Sequence, residues 1–305
     1  RFADDTSETA SACGHWVSSI LEDRGGTLWI GTPAGLSRFD RALNRFIRYG
    51  STKGHPLRLP NDSVTALCED RNGLIWIGLP RGLVRFDPAS GASFFYRPDP
   101  KNPQSVSDQY IHSLAADPFG NVWIATAGGG LGLFDTSTEK CLHFKTNPND
   151  PTAIRSDIVS RVYTERMTSS GSTLLASPRQ PVAVIWLCYQ DVGLSRMVVR
   201  KNEFLNIRSG KLGLEENTSG IMWSLMPAQN GTIWAGSSLG GGLLNLEWKS
   251  GRVIQYVHDM RNVRSVGGNS IKQVLEDRKH NIWVVTFGKL QRFDPGRKEF
   301  KTIAL

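Results

Sequence analysis

The sequence predicts an all-β fold, a β-propeller of four-stranded antiparallel blades, and three observations carry that prediction. Six tryptophans (Trp29, Trp76, Trp123, Trp186, Trp234 and Trp283) recur in one local context at spacings of 47, 47, 63, 48 and 49 residues. Each unit holds four short strand signals separated by turn residues, and four antiparallel strands at this period make a propeller blade rather than any helical repeat. Glycine is high at 31 and tryptophan at 9, which suits aromatic strands punctuated by glycine turns.

The elements of a unit follow in order. The first strand alternates, with Val17 and Ile20 leading to Glu22. Asp23 then opens a turn that Gly26 closes: the carboxylate caps backbone N–H groups, and glycine takes the positive-φ position. The second strand, Leu28-Trp29-Ile30, is apolar on both faces, as expected where a sheet packs on each side. A small residue two after the tryptophan (Gly31, Gly78, Ala125, Gly236) leaves room for a neighbouring backbone or ring. A glycine bend leads into the third strand, Leu36 to Phe39. Asp40, or Asp87-Pro88-Ala89-Ser90-Gly91, turns the chain into an outer strand ending in an aromatic pair such as Phe46 and Tyr49 or Phe94 and Tyr96.

Two units depart from the pattern. In the fourth, Tyr163 to Val184 replaces the Asp-x-x-Gly turn with a Ser/Thr/Pro-rich insertion near 165–181, read as a longer hairpin loop. The fifth has Ala228 where aspartate is expected but keeps Gly231, Trp234 and Gly236. The chain is expected to be one propeller domain over 1–305 with six units visible. Arg1-Phe2 matches the outer-strand start Arg45-Phe46, while Phe300 to Ile303 already supplies a sixth outer strand, so a six-bladed ring and part of a seven-bladed one both fit.

Composition excludes several classes. With 39% apolar and 21% charged residues, the chain can bury a core and is not disordered. The longest apolar stretch, Pro181 to Tyr189, is under half a membrane span, so no membrane contact is expected from this segment itself. The net charge is +8, but the basic residues are scattered, which permits an anionic partner and gives no nucleic-acid stripe. Cys13, Cys68, Cys141 and Cys188 lie 47 to 73 residues apart and read as small core hydrophobes. The chain opens without an initiator methionine or an apolar leader, which reads as a piece of something longer.

At the motif I-x-E-D-x-x-G-x-[IL]-W-I-G-T followed by G-L-x-R-F-D, the chain resembles the two-component regulator propeller repeat. Glu22-Asp23 to Thr32, Glu69-Asp70 to Gly78 and Glu276-Asp277 to Thr286 carry it best. Pro60 to Val64 and Asn102 to Ser107 are similar to the linkers that precede such repeats. The resemblance covers nearly the whole chain outside Tyr163–Val184. It implies a ligand-sensing input domain, periplasmic or otherwise extracytoplasmic, in a membrane-anchored histidine kinase or hybrid regulator.

Catalytic chemistry finds little support in the residues. The six histidines fall in different columns with no H-E-x-x-H, and no G-x-S-x-G nucleophile elbow exists. Asp23, Asp70, Asp117 and Asp277 share one column, where a turn role explains them better than a carboxylate cluster. Gly128-Gly129-Gly130 and Gly240-Gly241-Gly242 lead into strands and make poor phosphate cradles. The Trp column reads as inter-blade core rather than a sugar platform. The reading is therefore a non-enzymatic sensor with no cofactor or metal. Its alternatives are a general protein-interaction platform and, last, an enzyme similar to the streptogramin lyases.

A binding face is expected where the inter-unit connectors meet the turns between second and third strands. It carries Arg58, Arg81, Arg155, Lys211 and Arg264, with Trp16 as the aromatic closest to solvent. A positive rim there would attract a small molecule or oligosaccharide of anionic character. A homodimer is compatible with this reading.

Overall fold

The computed structural model describes residues 16–41, 43–49, 59, 63–107, 110–166, 183–190, 193–199, 203–207, 222–228, 230–237, 241–247, 250, 252–277 and 279–303. The described residues form six four-stranded antiparallel sheets with strands in sequential order, the blades expected from the repeat. The chain divides into two compact units, Arg1–Lys145 and Thr146–Leu305, with three blades in each.

In the first unit, blade one comprises β1 (Ser19–Glu22), β2 (Leu28–Thr32), β3 (Gly35–Asp40) and β4 (Arg45–Tyr49). Blade two comprises β5 (Ala66–Glu69), β6 (Ile75–Gly78), β7 (Leu83–Phe86) and β8 (Ser93–Tyr96). Blade three comprises β9 (Ile111–Ala116), β10 (Val122–Thr126), β11 (Leu131–Asp135) and β12 (Lys140–Phe144). In the second unit, blade four comprises β13 (Val159–Arg166), β14 (Ala183–Tyr189), β15 (Leu194–Val198) and β16 (Glu203–Ile207). Blade five comprises β17 (Met222–Pro227), β18 (Ile233–Ser237), β19 (Leu243–Glu247) and β20 (Arg252–Tyr256). Blade six comprises β21 (Ile271–Glu276), β22 (Ile282–Thr286), β23 (Lys289–Asp294) and β24 (Glu299–Ile303). The body of the fourth unit's insertion, 167–182, lies outside the described residues, and its hairpin resumes at Ala183 rather than Ile185.

The second strands of blades one to five are buried along nearly all their length, and Trp29, Trp76 and Trp234 each join two neighbouring blades. Trp29 packs against Tyr49 of its own outer strand and Phe86 of the next blade, with centroids 5.7 and 5.8 Å away. Trp76 meets Tyr96 and Phe134 in the same way, and Trp234 meets Tyr256 and Phe293. The third-strand phenylalanines Phe86, Phe134 and Phe293 are thus the next blade's corner of an aromatic triangle. The small residue after the tryptophan is needed because the following inner strand runs against it. A Cβ at Gly31 would stand 2.5 Å from Val64 Cγ1, and one at Gly236 would stand 2.6 Å from Ile271 Cγ2.

The turn aspartate has a second task. Asp70 accepts from the Asn72 and Leu74 amides through Oδ1, and from the Trp76 indole N–H at 2.8 Å through Oδ2. Asp23, Asp117 and Asp277 bind Trp29, Trp123 and Trp283 alike. In blade four the turn aspartate is missing, and Glu165 reaches Trp186 Nε1 at 3.2 Å. In blade five no side chain among the described residues replaces it, and the buried Trp234 Nε1 has no partner among them. The backbone turn there is still formed, with Ala228 N on Thr232 O and Gly231 N on Ala228 O. Ala228→Asp is therefore expected to stabilise the chain by about 1 kcal/mol, the net worth of a hydrogen bond that ends an unmet donor. A rise in denaturation midpoint checks it, and Trp234→Phe in the same background should remove the gain.

Both edges of a blade are managed, as exposed strand edges require. On inner strands, Leu67 N donates to Ser19 Oγ and Val274 N to Ser224 Oγ. On outer strands the connectors lie alongside: Cys141 N donates to Gln104 O and Phe300 N to Arg264 O, both at 2.8 Å. Those connectors share one build. Asp99 and Asn102 each accept an amide two residues on, and Ser105 Oγ closes back on Asp99. Asp259, Asn262 and Ser265 repeat the pattern. Val106 and Val266 then plug into the core. Cys68, Cys141 and Cys188 are buried free thiols, as expected, with burial pushing Cys141 up to about 12; Cys13 lies outside the described residues.

Candidate functional site

In blades three to six the inner strand carries one extra residue at the end where a connector enters. Ile111 and Ser113 face Thr126 and Ala125, leaving His112 between them; Ser160, Trp223 and Lys272 are left over in the same way in blades four to six. Ser18 and Thr65 hold the equivalent place, their amides bonded to Gly31 O and Gly78 O. Such bulges re-aim a side chain and collect beside functional sites.

The bulge column divides by chemistry. Ser18 Oγ lies on both Gly31 O and Val64 O, and Ser160 Oγ on both Cys188 O and Met222 O, so these hydroxyls tie neighbouring blades together. Thr65 Oγ1 is buried with no partner among the described residues. His112 stacks edge-on to Tyr110 at 5.5 Å. Trp223 and Lys272 meet each other: the Lys272 ammonium is 3.4 Å from the Trp223 ring centroid and 4.0 Å from that of Phe287, in the β22–β23 turn.

The residues expected at this end are placed as follows. Arg58 and Lys211 lie outside the described residues. In the first unit, Trp16 stands just before β1 and is 65% exposed, as its position suggested. Arg81 is exposed at the tip of the β6–β7 turn, which the Leu79 N to Gly82 O bond and the positive φ of Gly82 fix. In the second unit, Arg155 is exposed on the connector, and its amide donates to the Tyr189 hydroxyl at 3.4 Å. Burial pushes the Tyr189 phenol up to about 12. Arg264 has a different occupation: its Nη1 pairs with both Glu299 oxygens, at 3.1 and 3.2 Å, on outer strand β24. Its charge is met at the periphery of its blade.

At the opposite end, basic residues serve the scaffold. Arg24 donates to Arg71 O and Asp70 O of the next blade's turn at 2.7 and 2.9 Å. The Arg71 guanidinium in turn covers Gly120. Asp277 is held well below the usual carboxylate range, chiefly by the Trp283 indole N–H, with Asn281 and Lys279 adding to it. Histidines are spent on structure too. His143 Nε2 contacts Ser105 O, His258 Nδ1 contacts Val266 O, and His280 Nδ1 contacts Glu276. Among the described residues no three His, Cys, Asp or Glu side chains gather as a metal-binding group.

Sequence reasoning passed over the Trp223, Lys272 and Phe287 cluster. Its only signal was the column itself: Ser18, Thr65, His112, Ser160, Trp223 and Lys272 recur at the repeat period, but their identities differ.

Residues 12–34, 58–81 and 105–128 match the two component regulator propeller family, each segment taking in the first and second strands of one of blades one to three. A comparison with curated proteins finds no match. Among solved structures, the chain is similar to the extracellular domain of a hybrid two component system from B. thetaiotaomicron, at 22% identity and a TM-score of 0.64. The match covers 80% of this chain and 30% of that one. The extracellular domain of a one component system from the same organism matches at 17% identity and 0.59, over 95% and 43% of the two chains. Virginiamycin B lyase from Staphylococcus aureus matches at 14% and 0.66, over 95% and 84%. The chain thus spans less than half the length of either of these extracellular domains. At these identities the likeness is one of fold.

Proposed function

We propose that this chain, which carries two component regulator propeller repeats over three of its blades, is a non-enzymatic ligand-sensing propeller. In this reading it is the extracytoplasmic input half of a signalling protein, and it binds an anionic small molecule or oligosaccharide at the connector-entrance end. The observation that carries the reading is the repeat match itself, joined to two neighbours that are extracellular domains of one and two component systems. The division of labour within a blade supports it. Asp, Trp and Gly repeat where they build the scaffold, whereas the bulge column and connector-side turns change from blade to blade, as surfaces that select ligands do.

A melting screen against acidic and neutral oligosaccharides tests the proposal. A ligand present at a hundred times its Kd adds about 2.7 kcal/mol, enough to raise the melting temperature by several degrees. The sensor reading expects such a shift with the ligand recovered unchanged. Ligand consumed with turnover would transfer the chain to the lyase-like class. For an anionic ligand, charge reversal at Arg81 and, in a separate variant, at Arg155 is expected to weaken binding about tenfold, near 1.4 kcal/mol, in the unit that holds the site. Equal binding by the parent and both variants would put the site elsewhere.

A further inference from the structure

We propose that Lys272, Trp223 and Phe287 form a binding site for a ring compound bearing a carboxylate, the ammonium taking the acid and the aromatic faces the ring. The inference rests on reading the connector-entrance end of the blades as the ligand face, and it deepens that reading by naming residues and ligand chemistry.

The position comes first. Lys272 and Trp223 occupy the bulge place that Ser18 and Ser160 use to tie blades together. Neither an indole nor an ammonium can copy the serine's short hydroxyl bridge, so these two blades give up that tie and hold a different chemistry in the same column. The bulge aims both side chains to one spot, where Phe287 stands 66% exposed at the tip of a turn. Its place is set by Gly288, whose φ of 77° keeps the turn tight.

The charge comes second. Among the described residues no carboxylate lies within ion-pair distance of Lys272, while other well-placed cations at blade surfaces have one: Arg41 with Glu22, Arg85 with Glu139, and Arg264 with Glu299. Partial burial lowers the pKa of Lys272, so desolvation here is not repaid by a neighbouring anion. The two rings hold the ammonium by cation–π attraction and restrict its rotamers. A cationic ligand entering this spot would have to expel a tethered cation for no gain in charge. A carboxylate gains a charge-assisted hydrogen bond from an ammonium already in place, in partly desolvated surroundings where that bond is stronger than in water. The exposed Phe287 ring then offers its free face to an apolar ring face, as aromatic platforms do.

A sugar acid and an aromatic acid share this chemistry. Titration calorimetry of the whole chain with trigalacturonate, neutral galactotriose, benzoate and acetate separates them. Binding of trigalacturonate with galactotriose at least tenfold weaker assigns a sugar acid; binding of benzoate over acetate by a similar factor assigns an aromatic one. Lys272→Gln is expected to lose at least tenfold in affinity for the bound acid, Phe287→Ala about fivefold, and Lys272→Arg little. Phe287 is exposed, so its variant keeps the parent's melting temperature and remains interpretable if Lys272→Gln does not fold. The proposal is overturned if neither ring acid binds, or if Lys272→Gln or Phe287→Ala binds the acid as the parent does. A neutral ligand found by the melting screen, with no acid binding here, overturns this inference alone and leaves the sensor reading standing.

Discussion

Trp76→Ala is expected to destabilise the first unit by about 3–5 kcal/mol, the cost of emptying a packed aromatic site, and to lower its melting temperature by roughly 10 °C. Trp76 is fully buried, lies near-parallel to Tyr96 at 5.9 Å, and meets Phe134 of the following blade at 5.5 Å. Removing it deletes one corner of an aromatic triangle that spans two blades, so the loss is shared between them. It also strips Asp70 of the indole donor it holds at 2.8 Å. Trp76→Phe separates the two effects: the ring contacts persist in part while the hydrogen bond goes, and a loss of about 2 kcal/mol is expected. Hydrogen exchange should then quicken at β6 and β10 together in the alanine variant. Unchanged melting would mean that the tryptophan column is a solvent-facing platform after all.

That column was legible because spacing and packing coincide. The inter-blade tryptophan, the small residue two positions on and the phenylalanine of the third strand all stand in one repeating stretch, and the structure puts them against one another. The Asp-x-x-Gly turn was legible as a turn but only half understood. Aspartate stands six residues before tryptophan in four blades, and the spacing alone does not say that the carboxylate caps the loop with one oxygen and the indole with the other. Blades four and five show the rule through its exceptions, Glu165 standing in at Trp186 and Ala228 leaving Trp234 Nε1 unmet.

The binding end was less legible, for physical reasons. A bulge is a backbone event set by register between two strands, and its residue can be of any type, so no periodic identity marked Ser18, Thr65, His112, Ser160, Trp223 and Lys272 as one column. Charge misled for a related reason. Arg264 sits on a connector expected at the rim, but its partner Glu299 is 35 residues away on an outer strand, and only the folded blade brings the two together. Arg24 and Arg71, which look like free surface charge, latch one turn to the next.

The turn aspartate gives the second large effect: Asp70→Ala is expected to cost about 2–4 kcal/mol. Asp70 is 1% exposed and takes three donors, the Asn72 and Leu74 amides and the Trp76 indole N–H. Alanine leaves the buried indole and the part-buried Leu74 amide without acceptors, and each unmet buried donor costs about 1–3 kcal/mol. The backbone bonds Asp70 N to Leu74 O and Gly73 N to Asp70 O can persist, so the turn loosens rather than vanishes. The loosening travels to blade one, because Arg24 binds the Asp70 and Arg71 carbonyls. Asp87→Ala is the control. Asp87 caps Ala89 N and Ser90 Oγ in an exposed turn with no tryptophan behind it, and its loss should cost under about 1 kcal/mol, since water replaces both bonds. Asp70→Asn should fall between the two, keeping one acceptor oxygen where two are used. If denaturation midpoints for Asp70→Ala and Asp87→Ala shift equally, the indole bond contributes nothing. The gain expected from Ala228→Asp would then fail for the same reason, since it asks blade five to make the bond that Asp70 makes in blade two.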